Sequence, residues 1–183
     1  YMEDVYRRRE YIAHKEGSRK QTLKDHLEGT ARLAEGFAGQ FGKSDWGYCC
    51  GLLHDIGKYS EAFQKKIWED GSQRVDHATA GAKVCAEKAG LYRFMSYCIA
   101  GHHAGLPDTG SSIDTEGSSL EARKKKKIPD YQAYRTEIEI PDITSLPFDA
   151  QAAENPNFSM SVFIRMLYSC LVDADFLDTE CFM

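Results

Sequence analysis

The sequence predicts an all-α protein. Apolar residues recur near the helical period of 3.6 in several separate segments, and no alternating apolar pattern is long enough to indicate a strand ladder. Hydrophobic residues make up 42% and charged residues 28% of the 183 residues, which is ordinary for a globular chain. This length can bury a substantial core, and no shift in composition divides the chain. We therefore expect one helical domain over 1–183.

The predicted helices follow one another along the chain. The first carries an apolar stripe through Leu23, Leu27 and Ala31, with His26 beside it, and the last carries Phe163, Leu167 and other apolar residues at the same spacing. Small residues in the third let a neighbouring helix approach closely, and Gly90 ends it. The expected ranges are 22–41, 46–68 as one helix or two with an interruption at Gly57, 77–90, 91–100 and 159–180.

Helical periodicity fades before the last helix. Residues 109–148 are rich in Gly, Ser, Pro and charge and include the β-prone TEIEI, so we expect an irregular insertion at about 107–157, mobile at least in part. The RKKKK run at 123–127 is more typical of a solvated loop than of a contact with a nucleic-acid backbone. Four nearby aromatic residues either stack on bases or pin the loop to the core: Tyr131, Tyr134, Phe148 and Phe158.

Composition and the chain ends indicate what class of protein this is and in which compartment it works. No apolar run approaches the roughly 18 residues of a membrane helix, and the opening YMEDVYRRRE contains no apolar core of a signal peptide. Six cysteines without a CxxC pair indicate neither a disulfide framework nor a zinc ribbon, which favours a reducing cytoplasm. A net charge of −5 argues weakly against a protein that coats nucleic acid, although local patches can still bind phosphates. Both ends break off abruptly, which predicts the N-terminal part of a longer polypeptide.

Histidines suggest the chemistry. Five of the six lie at or near predicted helices or helix ends, and three of these stand in the pairs His54–Asp55 and His102–His103. Ionisable groups beside an apolar run such as GLL are costly to bury unless they are paired or bound to a metal. Imidazole and carboxylate are ligands for Mn, Fe, Ni, Co or Zn. A metal cluster is therefore the economical interpretation, while His14, amid charged residues, is interpreted as an ordinary core or surface residue.

The His54–Asp55 pair indicates more than one ion. Neighbouring helical side chains point roughly 100° apart, so Asp55 can bridge two ions while His54 binds one, and His102 and His103 can close on the second. Two ions about 3.5–4 Å apart activate a shared water and clamp both oxygens of an in-line displacement at phosphorus. This arrangement favours phosphoester hydrolysis. Lys58, on the same helical face, either stabilises charge on phosphate oxygens or is a solvated lysine at a helix end.

These motifs together resemble the HD nuclease domain of the helicase-nuclease effector of type I CRISPR interference, within the HD superfamily of metal-dependent phosphohydrolases. HDIGK, GHHxGLPD and DADFLDTE form a specific combination, although any one alone is weak. Ala78 and Ala104 stand where the family often has serine and glycine, and both are small. The matching pieces cover nearly the whole chain in the expected order: KDHLEGTARLA, GLLHDIGKYSEAFQ, DHATAGA, AGHHAGLPD and LVDADFLDTE.

The resemblance implies an HD-domain helical bundle with two divalent transition-metal ions, Mn, Ni, Co or Fe, with Mg also possible. Asp175 is chosen among the acidic residues of the last helix because Asp175, Phe176 and Leu177 match the family's Asp-aromatic-Leu pattern. Asp173 is the alternative ligand, and Asp178 is expected to cap, pair or face solvent. The implied catalytic residues are Asp55 and Lys58. The implied ligand sets are His26, His54, Asp55 and Asp175 for one ion, and Asp55, His77, His102 and His103 for the other.

The same resemblance implies single-stranded DNA as substrate, cut internally and then processively, in CRISPR antiviral defence. It also implies a helicase module and an RNA-guided surveillance complex as partners. The chain contains no GxxxxGK[ST] motif, so the helicase would follow in the same polypeptide or act as a separate protein. Two alternatives stay open: an HD-type phosphohydrolase of nucleotides or cyclic dinucleotides, and a metal-stabilised helical module that docks a partner without catalysis.

Overall fold

The computed structural model describes residues 10–183, which form mainly α-helices, as the all-α prediction requires. The prediction that no signal peptide opens the chain rests on residues 1–10 and falls almost entirely outside the described range. Within residues 10–183, no helix combines the length and hydrophobicity needed to cross a membrane. The helices are α1 (Leu23–Gly39), α2 (Ser44–Leu53), α3 (Glu61–Trp68), α4 (Ala78–Lys88), α5 (Tyr92–Gly101), α6 (Leu120–Lys125) and α7 (Pro156–Phe182), with 3₁₀ turns at Ile56–Tyr59 and Gln132–Thr136.

A β-hairpin precedes the helices and was not expected from the sequence. Strands β1 (Ile12–Glu16) and β2 (Arg19–Thr22) pair antiparallel, with Glu16 opposite Arg19. The two-residue loop begins with Gly17 at φ +59, a left-handed conformation that favours glycine at the first loop position. A Gly-Ser pair between two short runs is itself a hairpin signal. The two strands are only five and four residues long, so their alternation of apolar and polar residues is too short to be recognised in the sequence.

Local chemistry fixes where the helices begin. Thr22 caps α1, because its Oγ1 accepts a hydrogen bond from the Asp25 backbone N–H at 3.1 Å. Ser60 caps α3 in the same way through Phe63. Asn155 caps α7, and Pro156 at the first helical position has no N–H to leave unsatisfied. The predicted helix over 46–68 is therefore two helices joined by a 3₁₀ turn.

The core lies between α1, α2 and α7 on one side and α4 and α5 on the other. Leu27, Leu53, Ile99 and Leu167 from four of these helices are fully buried within one apolar cluster. Burial of such side chains contributes roughly 1.5–3 kcal/mol each. The packing brings the C-terminal ends of α2 and α5, the start of α4 and the last third of α7 into one neighbourhood.

The segment predicted as an irregular insertion is tied to this core. TEIEI at 136–140 forms no strand, and Ile138 within it is buried. Tyr131 and Tyr134 are buried too, so they pin the segment, whereas Phe158 is 66% exposed. The RKKKK run is partly helical and partly solvated, because Lys125, Lys126 and Lys127 are exposed. Its first three residues end α6, because Ser119 supplies an N-cap, and Leu120 and Ala122 give that short helix a buried side.

Candidate metal centre

Asp55 lies at the centre of the histidine cluster and is 1% exposed. Helix α2 ends at Leu53, His54 keeps helical dihedrals as the C-cap, and Asp55 turns away at φ −116 and ψ 18. The two neighbouring side chains therefore converge, with His54 Nε2 3.5 Å from Asp55 Oδ2. The expected divergence of roughly 100° between neighbouring side chains of a continuous helix is wrong here. Helix α2 ends at Leu53, and the backbone of Asp55 has left the helical conformation.

The two carboxylate oxygens of Asp55 face different histidines. Oδ1 lies 3.5 Å from His77 Nε2 and 3.3 Å from His102 Nε2. Oδ2 lies 3.4 Å from His26 Nε2 and, on the same side, close to His54. Asp55 thus belongs to two groups of side chains and has one oxygen in each. Such a carboxylate is suited to join two cations.

Helix α7 and the residue after His102 complete the two groups. Asp175 Oδ1 lies 3.5 Å from His26 Nε2 and 3.4 Å from His54 Nε2, whereas Asp173 is exposed on the same helix. The Nε2 atoms of His103 and His77 lie 2.8 Å apart. Within each group the possible ligand atoms lie within 4.8 Å of one another, and the groups are His26, His54, Asp55 and Asp175, and Asp55, His77, His102 and His103.

Helix ends orient the imidazole rings. His54 and His102 are the C-caps of α2 and α5, and each Nδ1 lies 2.7 Å from the carbonyl oxygen three residues earlier, Gly51 O and Ile99 O. A carbonyl oxygen can only accept, so Nδ1 donates, and Nε2 is the ring nitrogen left to bind a metal. His77 Nδ1 donates to Val75 O at 3.0 Å in the same way. The carbonyls that a helix end leaves unpaired thus point the Nε2 atoms of His54 and His102 toward Asp55.

Several of the converging atoms have no hydrogen-bond partner. The buried side-chain atoms without a hydrogen bond of normal geometry include both oxygens of Asp55 and Nε2 of His26, His54 and His102. An unsatisfied buried polar group costs about 1–3 kcal/mol. Asp55 Oδ2 has the ammonium of Lys58 at 2.7 Å, but the other four atoms have no partner of this kind, so the cluster is not a stable arrangement by itself. Three neutral imidazole nitrogens and a shared carboxylate form the donor set of a divalent transition metal. The residues fit such ions.

The model of the HD domain family matches residues 23–134, more than half of the chain. This chain belongs to the HD domain family. Members are metal-dependent phosphohydrolases, so a metal-dependent hydrolase is indicated here as well, and the clustered His and Asp side chains are consistent with divalent metal binding. No curated protein matches the chain. The matched range includes all the clustered histidines and Asp55 but ends before α7, which supplies Asp175.

Lys58 and the neighbouring histidines balance the buried negative charge of Asp55. Burial alone would raise the pKa of Asp55, but Lys58, followed by His54 and His77, outweighs burial and holds that pKa well below its usual range. Burial would likewise lower the pKa of His54, yet Asp55 and Asp175 raise it to about 8. Burial and then His102 lower the pKa of His103 to about 4. Burial would also raise the pKa of Asp175, but His54 outweighs burial and holds that pKa well below its usual range. Both carboxylates are therefore ionised at neutral pH, as metal ligands must be.

Lys58 is buried rather than solvated. Its side chain is 7% exposed, and Nζ forms an ion pair with Asp55 Oδ2 at 2.7 Å. The interpretation as a solvated lysine at a helix end is therefore wrong. The reason is that Lys58 lies in the 3₁₀ turn Ile56–Tyr59, three residues after Asp55, which directs its ammonium inward. A contact of Lys58 with phosphate oxygens stays a prediction.

Sequence reasoning missed two contacts of His26. Asp178 Oδ2 accepts from His26 Nδ1 at 2.8 Å and from Gln21 Nε2 at 2.8 Å, which leaves His26 Nε2 free to face Asp55. The His14 ring lies 4.7 Å from the His26 ring, and burial, followed by Lys58, lowers the pKa of His14 to about 3. His14 is therefore a half-buried residue that packs against His26. The available signal was the Gly-Ser turn, which predicts a hairpin that contains His14.

The Asp178–His26 hydrogen bond predicts a loss of metal affinity. Replacing Asp178 with Asn should weaken metal binding about 10–100-fold, because the charged partner that fixes the His26 ring is lost. Calorimetric titration of metal-stripped protein with Mn²⁺ measures this effect. Asp173→Asn, on the exposed side of the same helix, should leave the affinity unchanged. Equal affinities in the two variants would contradict a positioning role for Asp178.

Gly57 permits the close approach that sets His77 opposite Asp55. A Cβ at Gly57 would lie 2.2 Å from the His77 carbonyl oxygen. Gly57→Ala should therefore force the 3₁₀ turn and the start of α4 apart, with a loss of about 1–3 kcal/mol in the free energy of unfolding and weaker metal binding. Urea denaturation measures the first effect. Gly36→Ala, where no atom lies within 4 Å of the added Cβ, should instead stabilise α1 by up to about 1 kcal/mol.

Proposed function

We propose that this HD domain hydrolyses phosphodiester bonds of single-stranded DNA with the help of two divalent transition-metal ions. The supporting observation is the division of Asp55, with Oδ1 facing His77 and His102 and Oδ2 facing His26 and His54. A second support is that hydrogen bonds at Nδ1 leave Nε2 of His26, His54, His77 and His102 as the ring nitrogen that faces Asp55. A single structural ion would need only one of the two groups of possible ligands.

Each residue has a distinct part in this proposal. His26, His54, Asp55 and Asp175 would hold one ion, and Asp55, His77, His102 and His103 the other. When bound, the ions supply acidity to a water molecule and positive charge to phosphate oxygens. Lys58 holds Asp55 in place through its ion pair, and Asp178 holds the tautomer of His26. His77 and His103 lie nearest to solvent, with His103 exposed, so substrate enters from their side.

The CRISPR setting belongs to the same proposal. Support comes from the motif series in 24–34, 51–64, 76–82, 100–108 and 171–180, which resembles the nuclease domain of type I effectors. The proposed partners are a helicase module that delivers the strand and an RNA-guided surveillance complex that recruits the enzyme. A test of the partnership is cleavage of a target plasmid that requires the surveillance complex, its guide and ATP together.

The decisive experiment uses circular single-stranded DNA, which has no ends. Metal-stripped protein is supplied in turn with Mn²⁺, Ni²⁺, Co²⁺, Fe²⁺ or Mg²⁺, with EDTA as a control. Asp175→Asn is compared with Asp173→Asn, an identical change two residues away on the same helix. We expect metal-dependent fragmentation by the wild type and by Asp173→Asn, and none by Asp175→Asn.

Two other outcomes would replace the proposal. Intact circles under every metal, combined with phosphate release from nucleotides or linearisation of cyclic dinucleotides, would identify the nucleotide phosphohydrolase. Metal binding without hydrolysis of any phosphoester would indicate a docking module. Cleavage by Asp175→Asn at the rate of Asp173→Asn would remove Asp175 from the site.

A further inference from the structure

A groove of about 610 Å³ borders the candidate metal centre, with His77 and His103 among the residues that line it. We call it the basic groove, because its lining includes four cations and one carboxylate, Lys66, Arg74, Arg123, Lys126 and Asp76. The whole chain has a net charge of −5, so positive charge is concentrated here. We infer that the basic groove holds the sugar-phosphate backbone of single-stranded DNA on one side of the bond to be cut. This inference rests on the proposed function.

Two of the cations are available for phosphates. Among the described residues, neither Lys66 nor Arg74 forms an ion pair or a side-chain hydrogen bond. Arg74 is exposed, and Lys66 is half-buried with its ammonium 5.8 Å from the Phe63 ring centroid. Each phosphate that a lysine or arginine neutralises releases bound counterions, which favours binding at low salt. Lys66 and Arg74 come from different segments, α3 and the loop before α4, so they can contact successive phosphates.

The opposite wall is α6, which is fixed in place. Arg123 Nη1 donates to Ala100 O at 2.8 Å, near the end of the helix that carries His102. Lys126 pairs with Asp76, and Lys83 Nζ donates to the carbonyls of Lys124 and Lys126 at 2.8 and 2.9 Å. A wall that is already ordered loses little conformational entropy on binding. Arg123, which donates to a neutral carbonyl, therefore adds a fixed positive charge along the strand, whereas Asp76 compensates the charge of Lys126.

The composition of the lining favours a strand over a single nucleotide. The described residues that line the basic groove include no Phe, Tyr or Trp. Its aromatic rings are the imidazoles of His77 and His103, which belong to the candidate metal centre, so no separate aromatic platform for a base lies among these residues. It offers charge along an open surface, since Arg74, Gly117, Ser118 and Lys126 are exposed. Contacts of this type position the backbone and carry no sequence information. Binding should accordingly be insensitive to base sequence.

Charge reversal at matched positions tests the inference. Lys66→Glu with Arg74→Glu is compared with Lys65→Glu with Lys127→Glu, which changes the net charge equally at exposed residues outside the groove lining. Anisotropy of fluorescent oligo(dT) is measured with metal-stripped protein in EDTA over a range of salt concentrations, so no cleavage intervenes. The groove pair should bind at least about tenfold more weakly. Its slope of log affinity against log salt should be smaller in magnitude by about 1.4, for two single-strand phosphates.

The outcomes separate this inference from the proposed function. Equal weakening by both pairs, or by neither, would overturn the basic groove as the binding surface, even if the wild type cleaves circular DNA. Selective weakening by the groove pair would support it, even if no metal elicits cleavage. Thymidine monophosphate that binds as tightly as oligo(dT) would overturn the assignment to a strand.

Discussion

Asp55→Asn is expected to abolish hydrolysis, with a loss in kcat/KM beyond the roughly 100-fold typical of removing an outer partner of a metal ligand. The reason is geometric, because Asp55 is the one residue shared by both groups of possible ligands. Asparagine keeps the shape but supplies neither the charge nor a second oxygen. Steady-state cleavage of a labelled single strand with saturating Mn²⁺ measures the effect.

Folding must be separated from activity in this variant. Asp55→Asn leaves the buried ammonium of Lys58 without its ion-pair partner, and breaking one half of a buried pair costs about 3–5 kcal/mol. The double variant Asp55→Asn with Lys58→Met removes that uncompensated charge and should recover much of the stability in urea denaturation. It should stay inactive. A double variant that regains both stability and cleavage would show that Asp55 acts only through folding.

Addition of metal is expected to raise the melting temperature of stripped protein by about 5–10 °C. A ligand at 100 times its Kd stabilises the folded state by about 2.7 kcal/mol, and for a chain of this size 1 kcal/mol corresponds to about 2–4 °C. The physical source is the set of buried Nε2 and carboxylate atoms without hydrogen-bond partners. Differential scanning fluorimetry with each metal in turn measures the shift.

The matched aspartates of α7 provide the control for metal stabilisation. Asp173→Asn should keep the full shift, because its side chain is exposed. Asp175→Asn should lose part of it, because the carboxylate beside His26 and His54 is gone. A melting temperature that no metal changes would contradict the metal centre. An equal shift in both variants would exclude Asp175 as a ligand.

Much of the site was accessible from the sequence because its members stand in short, recognisable motifs. The pairs His54–Asp55 and His102–His103 each follow an apolar helical run. His54 and His102 are the C-caps of the helices that precede them. The expectation that these residues meet, together with His26, His77 and Asp175, agrees with their positions in the fold. Their roles as ligands and in catalysis stay proposals, tested by the variants above.

Other contacts depend on packing between distant segments and leave no local trace. Asp178 contacts His26 across 152 positions of the chain. Its position three residues after Asp175 places it on the same helical face, but no local feature indicates His26 as its partner. The basic run was interpreted as solvated because its composition is that of a loop, yet α6 is held by Arg123 and Lys83 through backbone carbonyls. The density of charge is a property of the segment alone. These hydrogen bonds depend instead on where α4 and α5 lie relative to α6.

The sequence by itself determined the helical class, the order of the main helices and the set of residues able to bind metal, because periodicity and residue chemistry are local properties. Only the tertiary structure decided how the site is arranged. The end of α2 at Leu53 turns His54 and Asp55 toward one another, and the 3₁₀ turn after it buries Lys58 against the same carboxylate. Helix ends and close helix packing are set by the whole core. The sequence therefore predicts that Asp55 is shared, but only the fold shows that its two oxygens face different pairs of histidines.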